Sequence, residues 1–98
     1  MELKVVRWVI DKLIPYARNA RTHSPEQIAQ VAASITEFGF VNPILVGADN
    51  VIIAGHARLL AAKKLGMTEV PVIVLAHLSE AQRRALVIAD NRFVTGDY

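Results

Sequence analysis

Cysteine is absent from this chain of 98 residues. The absence excludes disulfide bonds, thiolate metal sites and every reaction that uses a cysteine nucleophile. Long apolar runs are also missing, since no stretch approaches the roughly 20 residues that cross a bilayer as a helix. The first residues, Met1–Lys4, lack the layout of a signal peptide. These absences together predict a cytoplasmic protein that has no membrane partner.

The chain carries little net charge, because 11 basic residues and 9 acidic residues leave a balance of +2. Such a weak basic bias is not the signature of a protein that coats DNA. Hydrophobic residues make up 53% of the chain, which is enough for a packed core. The length predicts one domain over residues 1–98, and a domain this small gains from a partner or from self-association. The abrupt ending after Thr95 is typical of a fragment of a longer protein.

The apolar pattern predicts the order strand, loop, helix, strand, strand, helix, strand, helix. The polar loop is Pro15–His23. The predicted strands are Leu3–Ile10, Ile44–Val46, Val51–Ile53 and Val70–Leu75. The predicted helices are Pro25–Phe38, His56–Leu65 and Glu80–Phe93. A hairpin turn is expected at Gly47–Asn50, between the second and third strands.

Local signals mark the helix ends and the faces that the helices bury. Capping boxes are predicted at Ser24 with Gln27 and at Ser79 with Gln82, and Gly39 ends the first helix. Helical spacing predicts the core-facing residues of the first and last helices. They are Ile28, Val31, Ala32, Ile35 and Phe38 in the first, and Ala81, Ala85, Ile88 and Ala89 in the last.

The turn most suited to chemistry lies at Gly55, where an apolar strand ends and a helix begins at once. Backbone N–H groups at a helix start point outward and carry the positive end of the helix dipole, so they bind anions readily. Arg58 falls in the first turn, where its guanidinium can donate two hydrogen bonds to a phosphate. Gly55–Arg58 is therefore a predicted phosphate-binding turn. Spacing alone slightly favours the simpler interpretation, a plain turn with Arg58 in solvent.

Two ordered groups of segments resemble the two sequence boxes of ParB-type partition proteins. The first group comprises Asn19–Arg21, Ala33–Ile35 and Phe38–Ile44. The second comprises Ile53–Arg58, Ala61–Gly66 and Val70–Val72. The match extends from about Ile14 to Arg92, which is most of the chain. The resemblance implies the ParB/sulfiredoxin-like fold, an α/β (α+β) domain in which about three helices pack against a small mixed sheet.

The resemblance also implies a ligand and the residues that hold it. The second box would grip a nucleoside triphosphate, CTP or ATP, through Gly55, His56, Ala57 and Arg58. Arg21 of the first box would lie nearby, assisted by Thr22 and His23. Asp90-Asn91 resembles the Glu-Asn pair that helps hold magnesium in ParB clamps, and both residues supply oxygen ligands of the kind Mg²⁺ prefers. An equally open interpretation pairs Asp90 with Arg83 on the same helix.

Departures from the family pattern restrict the activity. ParB clamps usually carry Gly-Glu-Arg-Arg where this chain has Gly55-His56-Ala57-Arg58. His56 thus replaces the acidic residue implicated in CTP hydrolysis, which counts against efficient hydrolysis and against a CTP preference. Sulfiredoxin activity is excluded, because it needs a cysteine in this turn. If the loop of the first box folds over the Gly55 turn, His23 and His56 converge, and His56 could act as a general base or bind phosphate.

Three hypotheses for the function follow. The first is a nucleotide-binding ParB-like domain in DNA metabolism, similar to the front ends of phage-type and plasmid-type DNA methyltransferases. It would meet DNA mainly through other domains or non-specific contacts, and it could form a homodimer or associate with a methyltransferase. The second is a ParB-like Mg²⁺-dependent nuclease or a phosphotransferase that uses His56 as its base. The third is an interaction module whose pocket is vestigial.

Overall fold

The structure is a computed structural model that describes residues 3–15 and 23–96, with side chains described as far as Ala89. The strands are β1 (Val5–Val9), β2 (Ile44–Val46), β3 (Ile52–Ala54) and β4 (Glu69–Val74). The helices are α1 (Pro25–Phe38), α2 (His56–Lys64) and α3 (Glu80–Gly96). A short 3₁₀ turn, Ile10–Lys12, follows β1. The predicted order of strands and helices is confirmed, whereas most of the predicted loop Pro15–His23 lies outside the described residues.

The four strands form one mixed sheet in the order β1-β4-β2-β3. β4 pairs antiparallel with β1 and parallel with β2, while β2 pairs antiparallel with β3. The parallel pair needs a crossover, and α2 supplies it between β3 and β4. Two described helices, α1 and α2, pack on each other, and α3 packs on β3. The expected fold class, helices against a small mixed sheet, is confirmed.

The β2–β3 hairpin turns at Gly47–Asn50, as the sequence predicts, and Asn50 adopts a φ of 68° there. Because the two strands run antiparallel, the end of β3 lies beside the beginning of β2. Leu45 is accordingly the register partner of Ala54. The hairpin therefore brings the Gly55 turn next to Pro43, twelve positions earlier in the sequence.

The core lies between the sheet and α2. Its largest fully buried side chains all come from strands: Ile44, Val46, Ile52, Val70 and Val72. Leu59 and Ala62 of α2 complete the same cluster, and Trp8, Phe40, Met67 and Val74 pack around it. Most of the hydrophobic stabilisation consequently comes from the three strands β2, β3 and β4 and from one face of α2.

The two predicted capping boxes form to different degrees. At α3 the box is complete, because Gln82 N donates to Ser79 Oγ at 3.1 Å and Ser79 N donates to Gln82 Oε1 at 2.8 Å. At α1, Gln27 N donates to Ser24 Oγ at 3.1 Å. The side chain of Gln27, however, pairs with His23, whose Nδ1 lies 3.2 Å from Gln27 Oε1. Gln27 thus links the helix start to the residue before it.

The predicted buried faces of α1 and α3 are partly wrong. Phe38 is 66% exposed, and Ala32 is the one buried residue of α1. In α3, Ala81, Ala85 and Ile88 are exposed, whereas Arg83, Leu86 and Val87 are half-buried. α3 carries apolar residues on more than one face, and its contact with β3 selects the face that contains Val87.

Arg83 is engaged by Asp49 of the β2–β3 turn. Its Nη1 donates to Asp49 Oδ2 at 3.2 Å, and its Nη2 donates to Asp49 Oδ1 at 3.4 Å. The pair closes over Gly47, where a Cβ atom would lie 2.7 Å from Asp49 Oδ1. Arg83 therefore ties α3 to the hairpin. The side chain of Asp90, the partner considered for Arg83 from the sequence, lies outside the described residues.

The Asp49–Arg83 pair predicts a small, pH-dependent stabilisation. Burial raises the pKa of Asp49, but hydrogen bonds from Arg83 and from Val51 N–H outweigh this effect and hold the pKa below 3.8. A carboxyl whose pKa is lowered by folding stabilises the fold above its ordinary pKa and loses that effect as pH falls through the lowered value. We expect Asp49→Asn to lower the free energy of unfolding by about 0.5 kcal/mol at pH 7, because the pair is solvent-screened.

Urea unfolding at pH 7.0 and pH 2.5 checks this expectation. The asparagine keeps an acceptor for Val51 N–H, so the difference between variant and parent reports mainly the lost charge. Asp11→Asn, which removes another exposed carboxylate, is the control. A difference of the same size at both pH values would contradict the assignment.

Candidate anion-binding site

A cavity of about 250 Å³ opens at the start of α2. One wall is a single stripe along α1, a second is the loop Gly39–Asn42, and the third is the turn Gly55–Arg58. Ile53 and Val87 complete the lining. The loop and the turn meet because the β2–β3 hairpin places them side by side.

Gly55 gives this helix start its shape. It is the N-cap of α2 with φ 109° and ψ 23°, a left-handed conformation that side chains rarely tolerate. A Cβ atom here would lie 3.2 Å from Ile44 Cγ1 and 3.2 Å from two guanidinium nitrogens of Arg58. No side chain caps the helix from this position. The amides of the first turn are thus presented at the cavity with the positive end of the dipole.

Arg58 borders the cavity and is half-buried, so the interpretation that places it in solvent is wrong. Its Nη2 donates to Pro43 O at 3.3 Å, and its Nε is buried. The bond to Pro43 anchors the guanidinium across the hairpin beside Gly55. Such fixation lowers the side-chain entropy that Arg58 would lose on contacting an anion.

His23 and His56 both line this cavity. His56 is the first residue of α2, and His23 immediately precedes Ser24, the N-cap of α1. Among the described residues that line the cavity, the charged or titratable side chains are these two histidines and Arg58, with no aspartate or glutamate. The described lining is therefore electropositive at its Gly55 end.

Four predicted site residues lie wholly or partly outside the described part of the chain. Arg21 and Thr22 lie outside the described residues. Asp90 and Asn91 belong to α3, but their side chains are outside the described part. Within the described residues, no group of three or more histidine, aspartate or glutamate side chains is arranged to hold a metal ion. Across residues 3–15 and 23–96, no helix is both long and apolar enough to cross a membrane.

Sequence reasoning missed the uncharged polar side chains of the cavity. Three of them, Gln27, Gln30 and Ser34, fall on one face of α1, and Asn42 comes from the loop. Val31 and Ile35, predicted to face the core, are also on this wall. The helical spacing of Gln27, Gln30 and Ser34 was the available signal. The spacing alone does not reveal the cavity, because the cavity is a tertiary feature.

The two parts of the lining suit different chemical groups. The Gly55 end offers backbone amides, a guanidinium and two imidazoles, which are donors for phosphate oxygens. The wall of α1 and the loop offer amide and hydroxyl groups beside apolar surface, which suit an uncharged heterocycle or sugar. The arrangement thus matches a ligand that joins a phosphate to a neutral polar body.

The chain belongs to the ParB N-terminal domain family, whose model matches residues 2–92. It is 51% identical over 83 residues to the ParB-like nuclease domain-containing protein YnaK of Escherichia coli (strain K12), covering 85% of this chain and 95% of YnaK. It is 32% identical over 93 residues to a nucleoid occlusion protein of Lysinibacillus sphaericus, of which it covers 31%. The chain thus spans nearly all of YnaK and about a third of the longer relative.

Solved structures agree with this assignment. The C-terminally truncated chromosome-partitioning protein ParB of Caulobacter crescentus, crystallised with CTP-γ-S, has a TM-score of 0.78 and 28% identity. The match covers 90% of this chain and 52% of that one. Sulfiredoxin of Arabidopsis thaliana shares the fold with a TM-score of 0.70 and 22% identity over 85% of this chain. The expected ParB/sulfiredoxin-like fold is confirmed, in a domain related to partition and nucleoid occlusion proteins.

Proposed function

We propose that this domain binds a nucleotide in the cavity at the start of α2 and acts in DNA metabolism. One observation carries the proposal: the left-handed Gly55 turn opens a helix directly onto a cavity that Arg58, His23 and His56 line. The neighbouring ParB structure holds a CTP analogue, which supports a nucleoside triphosphate such as CTP or ATP as the ligand.

The cavity suits a single nucleotide better than a nucleic-acid backbone. A backbone is held by rows of lysine and arginine that neutralise successive phosphates. The described lining contains one arginine, and its far wall is uncharged. Its volume of about 250 Å³ lies slightly below the roughly 300–1,000 Å³ of typical small-molecule sites. Contact with DNA would therefore involve other surfaces or other domains.

Each residue at the turn has a proposed role. The amides of His56, Ala57 and Arg58 and the guanidinium of Arg58 would hold phosphate oxygens, and His23, which lines the same cavity, would assist. Arg21 and Thr22 are proposed to assist, as the family resemblance implies.

A magnesium site is proposed at Asp90 and Asn91. Position 91 lies one helical turn after Val87, which lines the cavity, so positions 87 and 91 share a face of α3. A carboxylate and an amide oxygen are suitable Mg²⁺ ligands. When bound, the ion would neutralise part of the phosphate charge.

Calorimetric titration tests the proposed function. The protein is titrated with CTP, ATP and inorganic phosphate, with and without Mg²⁺. We expect saturable heat for at least one nucleotide and competition by inorganic phosphate, because both use the same donors. Absence of heat for every ligand would support an interaction module with a vestigial pocket.

A second candidate function is Mg²⁺-dependent cleavage of DNA. It is favoured by the position of His56 on the cavity and by the similarity to a protein named for its nuclease-like domain. Incubation with supercoiled plasmid and Mg²⁺, with His56→Ala alongside, tests it. Nicking that the variant loses would favour the nuclease, while an intact plasmid in both samples favours a role in binding.

A further inference from the structure

His23 and Gln27 form a side-chain contact. Whether His23 can donate a hydrogen bond to a ligand depends on which of its ring nitrogens carries the proton. Nδ1 of His23 lies 3.2 Å from Gln27 Oε1, and both residues line the cavity. An amide oxygen only accepts hydrogen bonds, so Nδ1 must carry the proton in this contact. In a neutral imidazole the other nitrogen, Nε2, then has a lone pair and no hydrogen.

We propose that Gln27 is a positioning residue that fixes His23 in its Nδ1–H tautomer, so that His23 binds an oxyanion only as the imidazolium. Neutral His23 would present a lone pair to the anion, which repels it. Protonated His23 keeps the bond to Gln27 and gains a charged Nε2–H donor. Anion binding therefore takes up a proton, and affinity rises as pH falls. The inference rests on the proposed phosphate role of the cavity.

The surroundings of His23 favour this coupling. From α2, His56 and Arg58 face the same cavity, and the described lining from α1, the Gly39–Asn42 loop, β3 and α3 contains no carboxylate. Glu26 is exposed and does not line the cavity. An arriving anion thus supplies the negative charge that makes protonation of His23 favourable. His56 can add a proton of its own, so the experiment must separate the two histidines.

Sulfate is a suitable probe because it stays a dianion between pH 5.5 and 8.0, unlike phosphate. Sulfate binding is measured by calorimetry across this range, in two buffers of different ionisation enthalpy, which also gives the protons taken up. We expect binding about tenfold tighter at pH 5.5 than at pH 8.0. His23→Gln should lose most of that dependence, whereas His56→Gln should retain the part due to His23.

Gln27→Glu tests the positioning role. Glutamate preserves the capping pattern with Ser24, and its carboxylate stabilises the imidazolium, so the pH profile should move to higher pH. Gln30→Glu is the matched control, because it adds the same charge to the same wall of α1. It should weaken sulfate binding through repulsion without a comparable shift of the profile. Thermal unfolding shows whether each variant is folded.

The outcomes distinguish this inference from the proposed function. Sulfate affinity that is equal at both pH values, or unchanged pH dependence in His23→Gln, would overturn the inference while nucleotide binding stands. Equal profiles for Gln27→Glu and Gln30→Glu would overturn the positioning role. Failure of sulfate and nucleotides to bind at any pH would overturn both proposals.

Discussion

Replacing Arg58 with alanine should weaken nucleotide binding roughly 50-fold, or about 2.3 kcal/mol, in the calorimetric titration. The guanidinium borders the cavity, and its bond to Pro43 O holds it beside the amides of the first turn of α2. A phosphate at that point receives a charge-assisted hydrogen bond in partly buried surroundings, which is stronger than one in water. Removing the donor leaves the phosphate charge less well compensated.

Two controls separate this effect from loss of charge and loss of stability. Lys63→Ala removes one positive charge from the exposed last turn of the same helix and should leave affinity nearly unchanged. Arg58→Lys keeps the charge but lacks the planar fork, so intermediate affinity is expected. Because Arg58 also bonds to Pro43, the unfolding free energy of each variant is measured alongside. Equal affinity in Arg58→Ala and Lys63→Ala would remove Arg58 from the site.

Gly55→Ala should destabilise the fold by about 2–3 kcal/mol and weaken nucleotide binding as well. A left-handed backbone costs a non-glycine residue about 1–2 kcal/mol. The added Cβ would also press at 3.2 Å on Arg58 and Ile44, which must move. Displacement of Arg58 changes the wall of the cavity. Chemical denaturation measures the first effect, and nucleotide titration of the folded variant measures the second.

Gly66→Ala is the matched control for this prediction. Gly66 also has a positive φ, 74°, but nothing lies within 4 Å of a Cβ atom placed there. Its substitution should cost about 1 kcal/mol through backbone strain alone and leave nucleotide affinity unchanged. If both variants lose the same stability and bind nucleotide equally well, then close packing around Gly55 has no part in shaping the site.

Local chemistry explains which features could be predicted from the sequence. The Ser79–Gln82 box, the Gly39 ending of α1 and the hairpin at Gly47–Asn50 each depend on residues a few positions apart. The Gly55–Arg58 turn belongs with them, because a strand, a glycine and a helix start are adjacent in the chain. Such features are fixed by backbone preferences and short-range hydrogen bonds, which the order of residues specifies directly.

Contacts between segments that are distant in the sequence were less predictable. Ala81, Ala85 and Ile88 have helical spacing, but α3 buries the face with Val87 because β3 is its neighbour. Arg83 meets Asp49, which is 34 residues away in sequence. The sequence of α3 alone specifies neither its buried face nor the partner of Arg83. More than one face of the helix carries apolar residues, and several acidic residues could pair with an arginine.

The sequence by itself determined the order of helices and strands, most helix ends and the helix start that follows Gly55. Only the tertiary structure decided that Gln27, Gln30, Ser34 and Asn42 share a cavity with that turn. The physical reason is the antiparallel β2–β3 hairpin, which carries the loop after α1 back to the start of α2. Pairing between distant segments gave the site its second wall, and no local pattern specifies such pairing.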